Sequence, residues 1–189
     1  MRLADLLTER QGALCGRWLD AILAEYGELT ASRWRREQDP FANPVGHTLA
    51  AGLPALVAAV AQEGELPGEA ASALEAIVRI RSVQDLAPSR AVAFVWLLRD
   101  AIRAELAAEL AGGGHAEELA AVECRIERLA LHAFDTYVAL REQVFRLRQE
   151  ELKRSVASIL RRWHGGEIPE PGAEALAQLS PPPDPGPRR

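Results

Sequence analysis

No proline or glycine occurs between His115 and Trp163, and this uninterrupted segment restricts the fold more than any other feature of the chain. Proline removes a backbone hydrogen bond inside a helix and glycine weakens a helix, so their absence allows one to continue. The segment predicts a single helix over 115–163, about 49 residues long and about 70 Å in length at 1.5 Å per residue. A helix of that length commits the chain to a helical architecture.

Shorter helices are predicted upstream, from apolar residues at helical spacing and from breaks at proline and glycine. The predicted helices cover 3–26, a short stretch from about residue 30, 45–62, 70–83 and 91–110. They are separated by a loop at 39–46, by the turn GELPGE and by the glycine triplet at 112–114. Because no strand pattern of useful length occurs, the predicted fold class is all-α, a helical bundle with an overlong C-terminal helix.

The composition fits a helical core and excludes some partners. Hydrophobic residues make up 48% of the chain but aromatic residues only 5%, so the core must consist mainly of Ala, Leu and Val. Ala and Leu lose little entropy in a helix. The net charge of −5 predicts no general attraction to nucleic acid or to an anionic membrane.

The sequence predicts a cytoplasmic protein with no membrane insertion. Asp5 and Glu9 interrupt the N-terminal segment where a signal peptide needs an apolar run. The longest apolar run, 49–60, is shorter than the about 20 residues that span a bilayer. Cys15 and Cys124 lie far apart in the sequence and are predicted to be reduced, partly buried thiols.

The C-terminal residues differ in composition from the rest of the chain. Residues 165–189 are rich in proline and glycine and hold few core-forming side chains, so they are predicted to be disordered. We therefore divide the chain into a helical domain at 1–145, a helical extension at 146–164 and a Pro/Gly-rich tail at 165–189.

The stretch QDLAPS predicts a sharp corner before the helix at 91–110. Asp85 and Ser89 are both residue types that cap a helix N-terminus, and Pro88 is tolerated only in a first turn. A helix that starts at Asp85 places Pro88 in its first turn, whereas a start at Ser89 places Pro88 just outside; the sequence leaves both open. In either case Phe94 and Val95 are predicted to enter the core, and the corner needs no ligand to explain it.

The corner belongs to one of two polar motifs that carry a family resemblance. The motifs are Phe41-x-Asn43-Pro44-Val45-Gly46 and Arg81-x-Val83-Gln84-Asp85-x-x-Pro88-Ser89-x-Ala91. Together with the segment WLDAILAEY at 18–26, they resemble the RsbRD N-terminal domain family over roughly residues 3–145.

The resemblance implies a sensory or scaffold domain of bacterial signalling. Family members are similar to the sensory modules of stressosome co-antagonists, whose N-terminal domains resemble globins without haem. A globin-like bundle over 1–145 is therefore implied. Stressosome proteins of this kind carry a phosphorylatable STAS domain after the sensory one, whereas the long helix and the Pro-rich tail follow here. We therefore do not carry over the phosphorylation switch, and expect a module that acts alone or through a separate protein partner.

Apolar residues in the C-terminal half of the long helix follow a heptad pattern. One polar position, Gln149, joins five apolar ones at alternating spacings of three and four: Phe145, Leu152, Val156, Ile159 and Trp163. This pattern is typical of a coiled-coil seam, although it is shorter than the three to four heptads usual for one. The alternative is an amphipathic helix packed on its own domain. Because the family resemblance also favours a dimer, we interpret the pattern as a homodimer seam.

The same part of the chain is basic. Residues 141–162 hold seven Arg or Lys and three Glu. A solvent-exposed helix face is sufficient to explain this composition. The more specific interpretation is a docking patch for an acidic partner. Nucleic-acid binding is not expected, because no aromatic residues interleave with a dense basic run.

His132 is the only histidine in the interior of the helix predicted over 115–163, and it is the alternative haem ligand. Asp135 lies three residues after it and Arg128 four residues before it, on the same helix face. A haem ligand needs an unpaired imidazole in an apolar pocket, whereas this face is polar. A boundary histidine that pairs with Asp135 or with water is the simpler interpretation, so no cofactor is predicted.

The sequence contains no motif for metal, nucleotide or nucleophilic chemistry. The predicted function is a non-enzymatic regulatory domain that dimerises and passes ligand- or partner-induced changes along its C-terminal helix. One alternative is a small-molecule or haem-binding globin-like protein, since an Ala-rich core can leave a cleft for a small ligand. Another is an adaptor that docks a partner through the tail segment PPPDPGP.

Overall fold

The computed structural model describes residues 1–37, 39, 41–84 and 86–163, and the side chains of all of these except 28, 29, 35 and 160–162. Within this part of the chain the fold is all-α, as predicted, and no strand is present. Asp85 and the tail at 165–189, for which a cap and disorder were predicted, lie outside the described residues.

The helices of the described chain agree with most of the predicted ranges. They are α1 (Leu3–Glu9), α2 (Gln11–Ala24), α3 (Glu28–Arg36), α4 (Pro44–Ala61), α5 (Gly68–Ser82), α6 (Pro88–Glu105), α7 (Ala107–Leu110) and α8 (Ala116–Trp163). The 48 residues of α8 confirm the helix that the absence of proline and glycine predicts. The chain divides into two compact units, the first at Met1–Gln143 and the second beginning at Val144.

Two helices that were predicted to be continuous are each interrupted in the structure, so these predictions were wrong. The predicted helix at 3–26 is interrupted at Arg10, where the backbone leaves helical geometry with φ −94° and ψ 12°. The Arg10 guanidinium pairs with Glu105 and Glu109, which holds the break against α6 and α7. The predicted helix at 91–110 ends at Glu105, because the fully buried Leu106 separates α6 from α7. Neither break falls on a proline or a glycine, although Gly12 lies two residues after Arg10.

The core of the first unit is built around α4, which packs against α1, α2 and α5. Its buried residues recur at helical spacing on the inner face: Leu49, Leu53, Leu56, Val57 and Val60. A Cβ atom added at Gly52 would lie 3.0 Å from Cδ1 of Ile77, so this glycine lets α4 and α5 approach closely. The rest of the core comes mainly from α1, α2, α5, α6 and one face of α8.

In the described part of the chain, α4 is also the one helix that is long and apolar enough to cross a membrane. Its mean hydropathy is 1.5 over 18 residues, and 44% of it is buried inside the protein. Because its buried face packs on three other helices, its apolar character is accounted for by the core.

Candidate functional site

The first motif forms the N-terminal cap of α4. Asn43 is the N-cap residue, and its Oδ1 accepts a hydrogen bond from the backbone N–H of Gly46 at 2.8 Å. Pro44 takes the first helical position, where its missing N–H is not needed. The Asn43 Nδ2 donates to the carbonyl oxygens of Trp34, at 2.7 Å, and Glu37, at 3.1 Å. One buried side chain therefore ties the end of α3 to the start of α4.

Gly46 is required by the same cap. A Cβ atom at this position would lie 2.8 Å from Oδ1 of Asn43 and closer still to its Nδ2, which is inside the range that real Cβ atoms avoid. The other motif residues contribute differently. Val45 is half-buried, whereas Phe41 is 95% exposed and takes no part in the cap.

Arg81 of the second motif is a fully buried cation, with 1% of its surface exposed. Its Nε donates to the carbonyl oxygen of Ala91 at 2.9 Å, and its Nη2 donates to that of Arg90 at 2.7 Å. Nη2 also pairs with Oε2 of Glu25 at 2.7 Å, and Nη1 donates to the hydroxyl of Tyr26 at 2.9 Å. A buried charge is stable only when it is paired and hydrogen-bonded, and these bonds meet that requirement.

Tyr26 connects the two motifs. Its hydroxyl donates to Oε1 of Gln84 at 2.7 Å, and its ring packs on that of Trp34 with 4.9 Å between centroids. Burial raises the pKa of the Tyr26 hydroxyl, so the group stays protonated and remains a donor. Because the carbonyl of Trp34 accepts from Asn43, the interactions run without a gap from Arg81 to the cap of α4. We refer to this set as the motif network: Glu25, Tyr26, Trp34, Asn43, Arg81 and Gln84.

The other residues of the second motif that the structure describes do not join the network as side chains. Ala91 is fully buried and contributes only its carbonyl oxygen. Val83 is 76% exposed, and Pro88 and Ser89 are exposed as well. The predicted helix start at Ser89 was wrong, because α6 begins at Pro88 with Ala87 as its N-cap residue and no side-chain cap.

The predicted burial of Phe94 and Val95 is confirmed. Phe94 also stacks on Trp18, with 6.2 Å between ring centroids, and its carbonyl accepts from Trp18 Nε1 at 2.7 Å. Glu25 was not predicted as a network residue, although it lies in the segment WLDAILAEY. No spacing rule pairs Glu25 with a residue 56 positions away, so only the fold could identify it.

His132 is exposed and borders an open groove of about 510 Å³ that Arg125 and Arg128 also line. Its neighbours Leu131 and Phe134 are 65% and 47% exposed, so they do not enclose it. Within the described residues its ring makes no hydrogen bond to Asp135. The surroundings of His132 are therefore polar and open, unlike the apolar pocket of a haem ligand.

The predicted seam residues are exposed in the unit that begins at Val144. Their exposed fractions range from 47% to 84%, for Phe145, Leu152, Val156, Ile159 and Trp163. Gln149, the polar position of the seam, is exposed as well. This unit therefore leaves the apolar face of the seam uncovered.

The same seven-residue spacing continues upstream on the part of α8 that belongs to the first unit. Cys124, Leu131 and Val138 recur there at this spacing and are exposed. The opposite face of α8 is buried in the core of this unit, through Val122, Ile126, Leu129, Ala133 and Tyr137. This part of α8 thus has two apolar faces, of which the core of the unit covers one.

In the part of the chain that the structure describes, no three His, Cys, Asp or Glu side chains come together as a metal site would require. Both cysteines are free thiols; Cys15 is half-buried, as predicted, whereas the predicted partial burial of Cys124 was wrong, because this residue lies on the exposed face of α8. The groups that the fold does assemble are the motif network, the groove beside His132 and the exposed row on α8.

Comparisons with known proteins bear on the two motifs directly. A family model described as the RsbT co-antagonist protein rsbRD N-terminal domain matches residues 12–152. Searches of curated proteins and of solved structures find no match. The matched range includes both motifs, the whole motif network and the larger part of α8, so the resemblance seen in the sequence is confirmed. The chain therefore belongs to the RsbT co-antagonist protein rsbRD N-terminal domain family, a family of helical signalling domains.

Proposed function

We propose that this chain is a non-enzymatic, cytoplasmic sensory or scaffold module of a stressosome-like signalling system, and that it acts as a homodimer through α8. The observation that carries the proposal is the exposed apolar row on α8. Clusters of large exposed apolar side chains usually mark a protein interface. A second copy of the chain offers the same row and would cover it.

The charges beside the seam make apolar packing the main source of affinity. Arg146, Arg148 and Lys153 flank the seam positions, and like charges meet when two identical helices pair. Charge repulsion across such a dimer would oppose association, so burial of Leu152 and Ile159 must outweigh it.

The motif network supports a signalling role for the domain that carries the row. It links the end of α2, the end of α3 and the cap of α4 to Arg81 on α5 and to the first turn of α6. A change at one of these helix ends can therefore shift the others together. We propose that the signal is a population shift between two packings of these helices, which changes the surface that α8 presents.

The double variant Leu152→Glu and Ile159→Glu is expected to convert the dimer into a monomer. An unpaired carboxylate buried at each position should raise the dimer Kd by about 100-fold or more. Sedimentation equilibrium of the full-length protein at moderate salt measures this directly. Both residues are exposed in the single chain, so the fold should be preserved.

The matched control is Leu147→Glu. Leu147 is a 56% exposed leucine on the same helix, but it lies outside the seam positions, so its replacement should leave the dimer intact. A double variant that remains a dimer at the wild-type Kd would show that the seam is not the interface.

Thiol labelling at pH 8 provides a second readout of the same interface. Burial raises the pKa of Cys15 to about 11, so this thiol reacts slowly and serves as an internal reference. Cys124 lies in the row and should react faster in the double variant than in the wild-type dimer. Equal rates for Cys124 in both proteins would confine the interface to residues 145–163.

A further inference from the structure

The groove beside His132 combines positive charge with an apolar floor. It lies between the end of α4, the turn after α4 and α8, and has a volume of about 510 Å³, which is in the range of small-molecule sites. Its apolar lining consists of Ala59, Val60, Leu66, Ala71 and Leu129. We propose that this groove binds a small organic carboxylate with an apolar body.

Three nitrogen-bearing side chains on one face of α8 bind the carboxylate group of the proposed ligand. Arg125, Arg128 and His132 follow one another at spacings of three and four, so they lie along the same face of the helix. The Arg125 Nε donates to the carbonyl oxygen of Val60 at 2.7 Å, which fixes this half-buried side chain. Its Nη atoms form no hydrogen bond or ion pair within the described chain, so an oriented pair of donors remains for a ligand.

Arg128 and His132 also border the groove, and both are exposed. Among the described residues, neither the Arg128 guanidinium nor the His132 ring takes part in a hydrogen bond or ion pair. This differs from Arg10, Arg17 and Arg103, each of which pairs with a glutamate. A chain with net charge −5 thus leaves unpaired nitrogen donors together at one groove.

The opposite wall is formed by the turn after α4. Gly64 has φ +121°, a conformation that favours glycine, and it brings Glu65 and Leu66 to the edge of the groove. Glu65 is exposed and is the one carboxylate among the lining residues, so it reduces the positive charge of the groove. Leu66 adds to the apolar lining. The ligand that fits has one anionic head for the arginines and a short apolar body for the floor.

Titration of the full-length protein with hexanoate, followed by NMR of the histidine ring signals, tests the proposal. Hexanoate should shift the His132 signal, assigned with His132→Gln, and should bind at least about tenfold more tightly than acetate or hexan-1-ol. Acetate lacks the apolar body and hexan-1-ol lacks the charge. Equal binding of acetate, of hexan-1-ol or of inorganic phosphate would overturn the proposed ligand class.

Three variants test the location of the site. Arg128→Gln should weaken hexanoate binding by about tenfold, because a charge-assisted hydrogen bond is lost at an exposed residue that the fold does not need. Glu65→Gln should strengthen binding several-fold, since it removes the repelling carboxylate. Arg99→Gln removes an exposed arginine of α6 outside the groove and should change nothing. If Arg128→Gln and Glu65→Gln both bind as the wild type does, the groove is not the site. The dimer Kd is measured separately, so this result stands independently of the proposed homodimer.

Discussion

An Arg81→Ala variant is expected to lose about 3–5 kcal/mol of unfolding free energy, the range found when one partner of a buried ion pair is removed. The substitution leaves Glu25 without its cation and the carbonyls of Arg90 and Ala91 without their donor. It also leaves a cavity between the rings of Tyr26 and Phe94, which the guanidinium carbon faces at 5.5 and 5.4 Å from their centroids. Urea unfolding followed by circular dichroism measures the loss, and Tm should fall by roughly 10 °C.

Arg79 provides a matched control two residues away on the same helix. It also pairs with a glutamate, Glu75, but both side chains are more than half exposed. Arg79→Ala should therefore change stability by about 0.5 kcal/mol or less. Arg81→Lys separates charge from geometry, because lysine keeps the charge but cannot reach the same acceptors together. If Arg81→Ala unfolds no more easily than Arg79→Ala, the motif network does not hold these helices together.

A Gly46→Ala variant is expected to lose about 2 kcal/mol of unfolding free energy, comparable to the loss of a strong N-cap. The added methyl group would overlap the side chain of Asn43 and displace it from the cap. Displacement also leaves the carbonyls of Trp34 and Glu37 without the Nδ2 donor. Chemical denaturation of the purified variant measures the effect.

A double-mutant cycle with Asn43→Gly identifies the cause. Asn43→Gly alone removes the cap and both Nδ2 bonds, so it should destabilise the protein by about 1–2 kcal/mol. Once the Asn43 side chain is gone, the methyl group of Gly46→Ala meets no obstacle, and the double variant should be no less stable than Asn43→Gly. Additive losses would show that Gly46 is required for some other reason than its proximity to Asn43.

Helix positions were the most predictable part of this structure. Helix α8 follows from the absence of proline and glycine over 115–163. The helix predicted at 45–62 agrees with α4 to within one residue at each end, although Pro44, its first residue, was predicted to lie in the loop. At Arg10, where the prediction was wrong, the contacts that hold the break come from outside the local sequence. The break at Arg10 is held by Glu105 and Glu109, about a hundred residues later in the chain.

The site was predictable only as a set of residues and not as an arrangement. Each motif contains a residue that is buried in the structure, Asn43 in the first and Arg81 in the second. Each also contains a residue that is exposed, Phe41 in the first and Val83 in the second. A motif residue that packs and one that faces solvent look alike in one sequence, because burial depends on which helices come together around it.

By itself, the sequence determined the all-α fold, the uninterrupted α8 and the heptad row on that helix. Proline, glycine and apolar spacing act over a few residues, so they can be read locally. Only the tertiary structure decided that Arg81 pairs with Glu25, that Tyr26 links the two motifs and that Arg125 and Arg128 face an open groove. A buried charge takes its partners from helices that packing brings together, and no local rule connects residues 56 positions apart.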